Sequence, residues 1–131
     1  MNPKIWGSHA WIFLHSIAYS YPENPSKIEK IAINNFLLSL QHILPCKTCS
    51  ELYKKDIKTM KFNIQKASSN RNNLILWINE MHNKVNKNLN KKEWADEEYE
   101  KYYNKKEESQ SYKYIIFIII ILIFILFYIF I

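Results

Sequence analysis

The chain holds a single glycine, Gly7, among 131 residues. Strand-rich folds draw on glycine for their tight turns, so this scarcity argues for an all-helical domain. Cysteine is nearly as scarce: Cys46 and Cys49 are the only two. A closed zinc site wants four ligands, and no second pair follows; His42 and His82 do not stand at a finger spacing. The net charge of +6 would suit nucleic acid, but the lysines are scattered and no arginine cluster exists, which weighs against a nucleic-acid partner. Anionic lipid or a bound phosphate would suit that charge as well. The opening MNPKIWGSHAW has no basic stretch leading into an apolar run, and no secretory signal is read there. No internal repeat is found.

Apolar residues recur at helical spacing along most of the chain. Trp11, Ile12, Leu14, Ile17 and Ala18 mark a first helix over 8–20, with Ser8 as its cap. Pro22 and Pro25 break the pattern. Ser26 then caps a second helix, with Glu29 completing a capping box. Its expected stripe is Ile28, Ile31, Ala32, Phe36, Leu37, Leu40 and Ile43. Leu44-Pro45 stops it, and a third helix starts at Cys46. Residues 61–70 read as a loop. A fourth helix is expected over about 72–89, with Leu74, Trp77, Ile78, Met81, Val85 and Leu89 in phase. A short fifth helical segment is expected over 92–103.

The ending from Ile115 to Ile131, IIFIIIILIFILFYIFI, carries no charge, glycine or proline. With Tyr112 to Tyr114 added, a helix here would reach about 30 Å, the thickness of a hydrocarbon core. The expected organisation is a domain over 1–104, a polar linker over 105–111 and a transmembrane helix over 112–131. Lys105, Lys106 and Lys113 precede the apolar run, in keeping with the positive-inside rule. The expected localisation is a single-pass tail anchor with the domain facing the cytosol; a virion membrane is one candidate.

Three constellations could carry chemistry. In Leu44-Pro-Cys-Lys-Thr-Cys, Cys46 starts a helix, where unpaired N–H groups and the helix dipole favour thiolate and lower its pKa. The gap of two residues suits a dithiol/disulfide couple. Half of a zinc site, or two inert buried thiols, remain alternatives on spacing alone. A thioredoxin-like fold would need strands between helices, and none are found. The second constellation is His82-Asn83-Lys84-Val85-Asn86-Lys87-Asn88-Leu89. It places a histidine, amides and a cation along one helix face, which suits a ligand with a ring at one end and phosphates at the other. An ordinary solvated face explains the same spacing. The third is Trp11-Ile-Phe-Leu-His15, whose Trp11 and His15 share a face, as core residues also would.

Together these pieces resemble the Erv/ALR family of FAD-linked sulfhydryl oxidases, of the short type found in large cytoplasmic DNA viruses. The resemblance runs from Trp6 to Tyr103. It rests on Gly7 with Trp11-Ile-Phe-Leu-His15, on Tyr21-Pro22-x-x-Pro25, on Pro45-Cys46-Lys-Thr-Cys49 and on His82-Asn83-x-Val85-Asn86-x-x-Leu89-x-Lys91. It implies a four-helix bundle plus a short fifth helix, holding FAD. It further implies an FAD-dependent thiol oxidase (a thiol:oxygen oxidoreductase) that forms disulfides in partner proteins. Electrons would pass from the Cys46/Cys49 dithiol through FAD to oxygen, giving hydrogen peroxide.

Cys46 would exchange with the substrate, and Cys49 would stand next to the flavin. Gly7, Ser8, Trp11 and His15 match flavin contacts of the first helix. His82, Asn83, Val85, Asn86, Lys87, Leu89, Lys91 and Trp94 match the run that grips the adenine, ribose and phosphates, with Tyr103 as a late aromatic contact. Leu44 and Lys92 depart from the family pattern, which often has an aromatic and a proline there. Relatives often carry a shuttle disulfide, and this chain has no cysteine left for one. It is therefore expected to oxidise a partner dithiol directly, for example in a thioredoxin-like or CxxC protein. Any homodimer must be noncovalent. No metal is called for.

Overall fold

Asn2 sets the start of the first helix. In the computed structural model its side-chain oxygen accepts the Lys4 backbone N–H at 3.0 Å. Pro3 occupies the first turn, where its missing N–H costs nothing. Helix α1 therefore spans Pro3–Ser20 and begins well before Ser8, the cap expected from the sequence. The structure describes residues 1–129; for 104–111 and 129 it describes the backbone alone.

Helix α2 spans Lys27–Ile43 and opens on the expected capping box. The Ser26 hydroxyl accepts the Glu29 N–H at 3.3 Å, and the Glu29 carboxylate accepts the Ser26 N–H at 2.7 Å. These bonds hold the Glu29 carboxyl below its usual range. The buried stripe of α2 is rotated from expectation. Ile33 and Leu37 are its buried residues, while Ile28, Ile31 and Ile43 stay exposed. Apolar side chains on both sides of α2 made its inner face ambiguous.

Helix α3 spans Lys47–Asp56 with Cys46 as its cap, and a short 3-10 turn over Ile57–Thr59 follows. Helix α4, Ile64–Ala67, is a single turn within the stretch read as loop. Asn63 caps it, accepting the Lys66 N–H at 2.9 Å, and both Ile64 and Ala67 are buried. Helix α5 spans Arg71–Asn88.

Contacts divide the chain into two units, Met1–Asp96 and Glu97–Ile131. In the first, α1 packs on α5 and α2 on α3, with α4 against both α2 and α5. Ala18, Ile33, Leu37, Tyr53, Leu74, Trp77 and Met81 form the core. Two phenols lock it. Tyr53 Oη donates to the Leu37 carbonyl at 2.9 Å and ties α3 to α2. Tyr21 Oη donates to the Ser68 carbonyl at 3.0 Å. Arg71 Nε donates to the Tyr21 carbonyl at 2.5 Å, fastening the Tyr21–Pro25 turn to the start of α5.

The second unit is carried by α6, Asp96–Ile129, a continuous helix. The short fifth helix expected over 92–103 is thus the beginning of a much longer one, and 91–95 are not helical. The transmembrane helix expected over 112–131, and with it the single-pass, cytosol-facing tail anchor, is corrected. Among the described residues no helix is long and apolar enough to cross a membrane. The described side chains of the apolar stretch run from Tyr112 to Tyr128 and include Lys113. Their rise is about 26 Å, short of the roughly 30 Å of a hydrocarbon core. Residues 130 and 131, the end of the expected span, and the side chains of the expected linker over 105–111 lie outside the described residues.

Candidate functional site

Pro45 ends α2 and Cys46 begins α3, so the first cysteine sits at a change of direction. Its backbone is extended, φ −146° and ψ 115°, and its Sγ accepts the Cys49 N–H at 3.2 Å. A sulfur is thereby doing what a serine or aspartate oxygen does at most helix starts. The turn brings the two Cα atoms to 5.2 Å, and Cys46 and Cys49 form a disulfide. A donor on Cys46 Sγ and the positive end of α3 both favour negative charge on that sulfur when the bond opens. The α-amino group of Met1 donates to the Pro45 carbonyl at 2.6 Å, which brings the start of α1 to this turn.

The two sulfurs face different surroundings. Cys49 shares an α3 face with Tyr53 and Asp56, both buried. Cys46 instead lines a cleft of about 420 Å³ between the end of α2 and α3, and Cys49 does not. Sequence reasoning missed the other walls of this cleft, among them His42, Lys47, Ser50, Glu51 and Lys54. A signal was present: Cys46, Ser50 and Lys54 recur every fourth residue on one helix face.

A second cluster lies between α1 and α5. The rings of Trp11 and His82 stack nearly parallel, 5° apart in plane and 3.9 Å between centroids. His15 Nε2 and His82 Nδ1 share a hydrogen bond at 3.1 Å. Burial drives the His15 pKa from 6.5 down to about 3, with repulsion from His82 adding to it. Burial likewise lowers His82 to about 4, helped by the charge of Lys91. Near neutral pH both rings are therefore uncharged, and with Trp11 they form a neutral aromatic cluster in which His15 is fully buried. Helical spacing had placed Trp11 with His15, and the resemblance had assigned His82 to the same cofactor; neither showed that His82 would stack on Trp11 and bond to His15.

The remaining expected residues separate into two groups around α5. Val85, Asn86 and Leu89 share the side of α5 that carries His82. Asn83 and Lys87 fall on another side and line, with Trp94, Lys84 and Glu80, a cleft of about 440 Å³. Asn83 there grips the backbone of Trp94 from both sides. Its amide donates to the Trp94 carbonyl at 2.7 Å and accepts the Trp94 N–H at 2.9 Å.

Asn86 is buried, and its carbonyl accepts the Lys91 N–H at 2.8 Å. Asn90, between them, takes a left-handed φ of 53° to turn the chain. Lys87, Leu89 and Lys91 are exposed. Ser8 is exposed on α1, and a Cβ at Gly7 would meet nothing within 4 Å. Tyr103 lies on α6 in the second unit, edge-on to Tyr102 with 5.1 Å between ring centroids.

Comparison with known proteins bears on this arrangement. The model of the Erv1 / Alr family matches residues 8–108. A probable FAD-linked sulfhydryl oxidase, R368, of Acanthamoeba polyphaga mimivirus is 35% identical over 92 residues, covering 70% of this chain and 64% of the viral protein. The mitochondrial FAD-linked sulfhydryl oxidase ERV1 of Saccharomyces cerevisiae is 40% identical over 85 residues, covering 65% of this chain and 43% of the yeast protein. The chain thus spans less than two thirds of the length of these relatives. Among solved structures, the FAD binding domain of Erv1 from Saccharomyces cerevisiae superposes with a TM-score of 0.71 at 33% identity, over 80% of this chain and 96% of that one.

Proposed function

The chain belongs to the Erv1 / Alr family, and on that premise we propose that it is an FAD-dependent thiol oxidase that forms disulfides in partner proteins. The observation that carries this reading is the Cys46–Cys49 disulfide at the start of α3, in a fold matched to an FAD binding domain. We place the oxidase within residues 1–104.

The residues present fit FAD. The partly buried Trp11–His82 stack offers aromatic surface without charge, suited to a heteroaromatic ring, and the buried His15 is hydrogen-bonded to it through His82. The Trp6 indole N–H on the same helix as Trp11 is buried and has no partner among the described residues, so a donor is left to spare. Lys91, whose charge acts on His82, supplies positive charge for a diphosphate, and Lys87 stands on the other side of α5. On this reading Gly7, Ser8, Trp11 and His15 hold the cofactor from α1, and His82, Val85, Asn86 and Leu89 from α5. Asn83 acts by positioning Trp94. When bound, FAD supplies the two-electron acceptor that restores the disulfide and passes the electrons to oxygen as hydrogen peroxide.

The chain's own residues account for the thiol chemistry. A substrate thiolate attacks Cys46 Sγ from the cleft, the Cys46–Cys49 bond breaks, and the electron pair goes to Cys49 on the inner face. A second substrate thiolate then attacks the substrate sulfur of the mixed disulfide and expels Cys46. The Cys49 N–H and the end of α3 stabilise Cys46 as it leaves. The substrate is left as a disulfide, and two electrons remain on the cysteine pair.

Both cysteines are committed to this bond, so partner dithiols are oxidised directly and self-association is noncovalent. Ile5 and Phe13 on α1, with Ile28 and Ile31 on α2, are exposed apolar side chains that support a homodimer. Relatives in mimivirus and in the invertebrate iridescent viruses support a place in a viral disulfide-forming pathway.

Purified full-length chain tests the reading. It should be yellow and should take up oxygen when given dithiothreitol. Colourless protein that FAD cannot restore to oxygen uptake would sink it.

A further inference from the structure

The cleft at Cys46 is a polar surface built around one reactive sulfur. One wall is the last turn of α2 with Leu44, and the other is a single face of α3 carrying Lys47, Ser50, Glu51 and Lys54. The Ser50 hydroxyl donates to the Gln41 carbonyl and holds the two walls together. Lys47, Glu51 and Lys54 are all exposed. Among the described residues Glu51 makes no ion pair with Lys47 or with Lys54. The rim is therefore two cations to one anion, and the positive end of α3 adds to it. A volume of about 420 Å³ admits a few side chains of an extended segment and is too small for a packed domain.

We propose that this cleft is the docking surface for substrate, and that it takes an extended, cysteine-bearing segment of a partner protein with an acidic side chain next to the cysteine. The proposal rests on the thiol-oxidase reading and names the partner chemistry of the same site. The segment's thiolate meets Cys46 while its carboxylate meets the net positive charge of the rim, nearest Lys47. A basic neighbour at the same place would be repelled, so the rim selects as well as attracts.

The test reads Cys46 without the cofactor. In the full chain carrying Cys49→Ser, Cys46 is a free thiol. It is mixed with short peptides whose one cysteine is joined to thionitrobenzoate. The Cys46 thiolate attacks the peptide sulfur, a Cys46–peptide disulfide forms, and yellow thionitrobenzoate leaves. Three peptides differ only in aspartate, serine or lysine beside the cysteine. Each rate is divided by that of the same peptide with mercaptoethanol.

At low ionic strength the aspartate peptide should react about tenfold faster than the lysine peptide, with serine between, and high salt should compress the series. Lys47→Gln with Lys54→Gln should flatten it, and Lys47→Glu with Lys54→Glu should reverse it. Equal rates in the starting protein overturn the proposal. So does an aspartate preference that survives both double substitutions. Rates that fall as protein concentration rises would show a second copy of the chain in the cleft, and overturn it too. Oxygen uptake with dithiothreitol is measured separately, so failure of the oxidase reading and failure of the docking surface are told apart.

Discussion

His15 and His82, 67 residues apart in sequence, meet through a 3.1 Å hydrogen bond between Nε2 and Nδ1. The contact joins α1 to α5 at the place where Trp11 stacks on His82. Both rings are buried enough to resist protonation, and the consequence is a defined sensitivity to acid. Their folded pKa values, about 3 and about 4, lie below the ordinary 6.5. Between those values and 6.5 the unfolded chain binds more protons than the folded one, so stability falls as pH falls. Stability from this pair is full above about pH 6.5 and drains as pH drops towards 4. Urea midpoints measured from pH 7.5 to 4 should decline and should decline less in His15→Phe. A midpoint constant over that range would contradict the assignment.

Trp11→Ala removes the ring stacked on His82 and part of the surface proposed for the cofactor. The loss of stacking alone is about 1 kcal/mol, with lost burial adding to it. Flavin content of the purified variant, read by absorbance against protein, should fall several-fold. Trp11→Phe keeps an aromatic face and should retain most of it.

Asn83 is expected to act through Trp94. Asn83→Asp keeps the acceptor and replaces the donor with an oxygen facing the Trp94 carbonyl. Losing that bond and opposing two acceptors should cost about 1–3 kcal/mol in chemical denaturation. The exposed neighbour Asn88 donates to Asp56 at 3.2 Å, and Asn88→Ala should cost less than Asn83→Asp.

Asn90 holds a φ of 53°, a region that glycine and asparagine tolerate and branched residues do not. Asn90→Gly should leave stability within a few tenths of a kcal/mol. Asn90→Val should lower it by about 1–2 kcal/mol. Equal midpoints for the two would show that the turn from α5 into 91–95 is not fixed as described.

Local signals in the sequence were read well where the structure they specify is local. Ser26 with Glu29 announced the start of α2, and Pro45-Cys46 announced α3 with sulfur at its cap. The phase of Leu74, Trp77, Ile78 and Met81 identified the buried face of α5. Features set by distant contacts were not legible. Ile33 lies inside and Ile31 outside because of what α2 packs against, and both are isoleucine. His82 and Asn83 are adjacent, yet one turns to Trp11 and His15 and the other to Trp94. Only the geometry of α1 and of 91–95 separates them. The sequence points to Ser8 as the cap of α1, whereas Asn2 caps it and Pro3 is part of its first turn. The apolar tail was extrapolated to a full span, and its described length falls short.

The central claim is that Cys49 is the sulfur through which the cysteine pair delivers electrons to bound flavin, and it is tested by mixing without oxygen. Flavin-loaded chain is combined anaerobically with excess dithiothreitol, and the visible flavin absorbance is followed. The starting protein should bleach, and Cys49→Ser, loaded with the same amount of flavin, should keep its colour over the same period. Bleaching of Cys49→Ser at the rate of the starting protein would contradict the account.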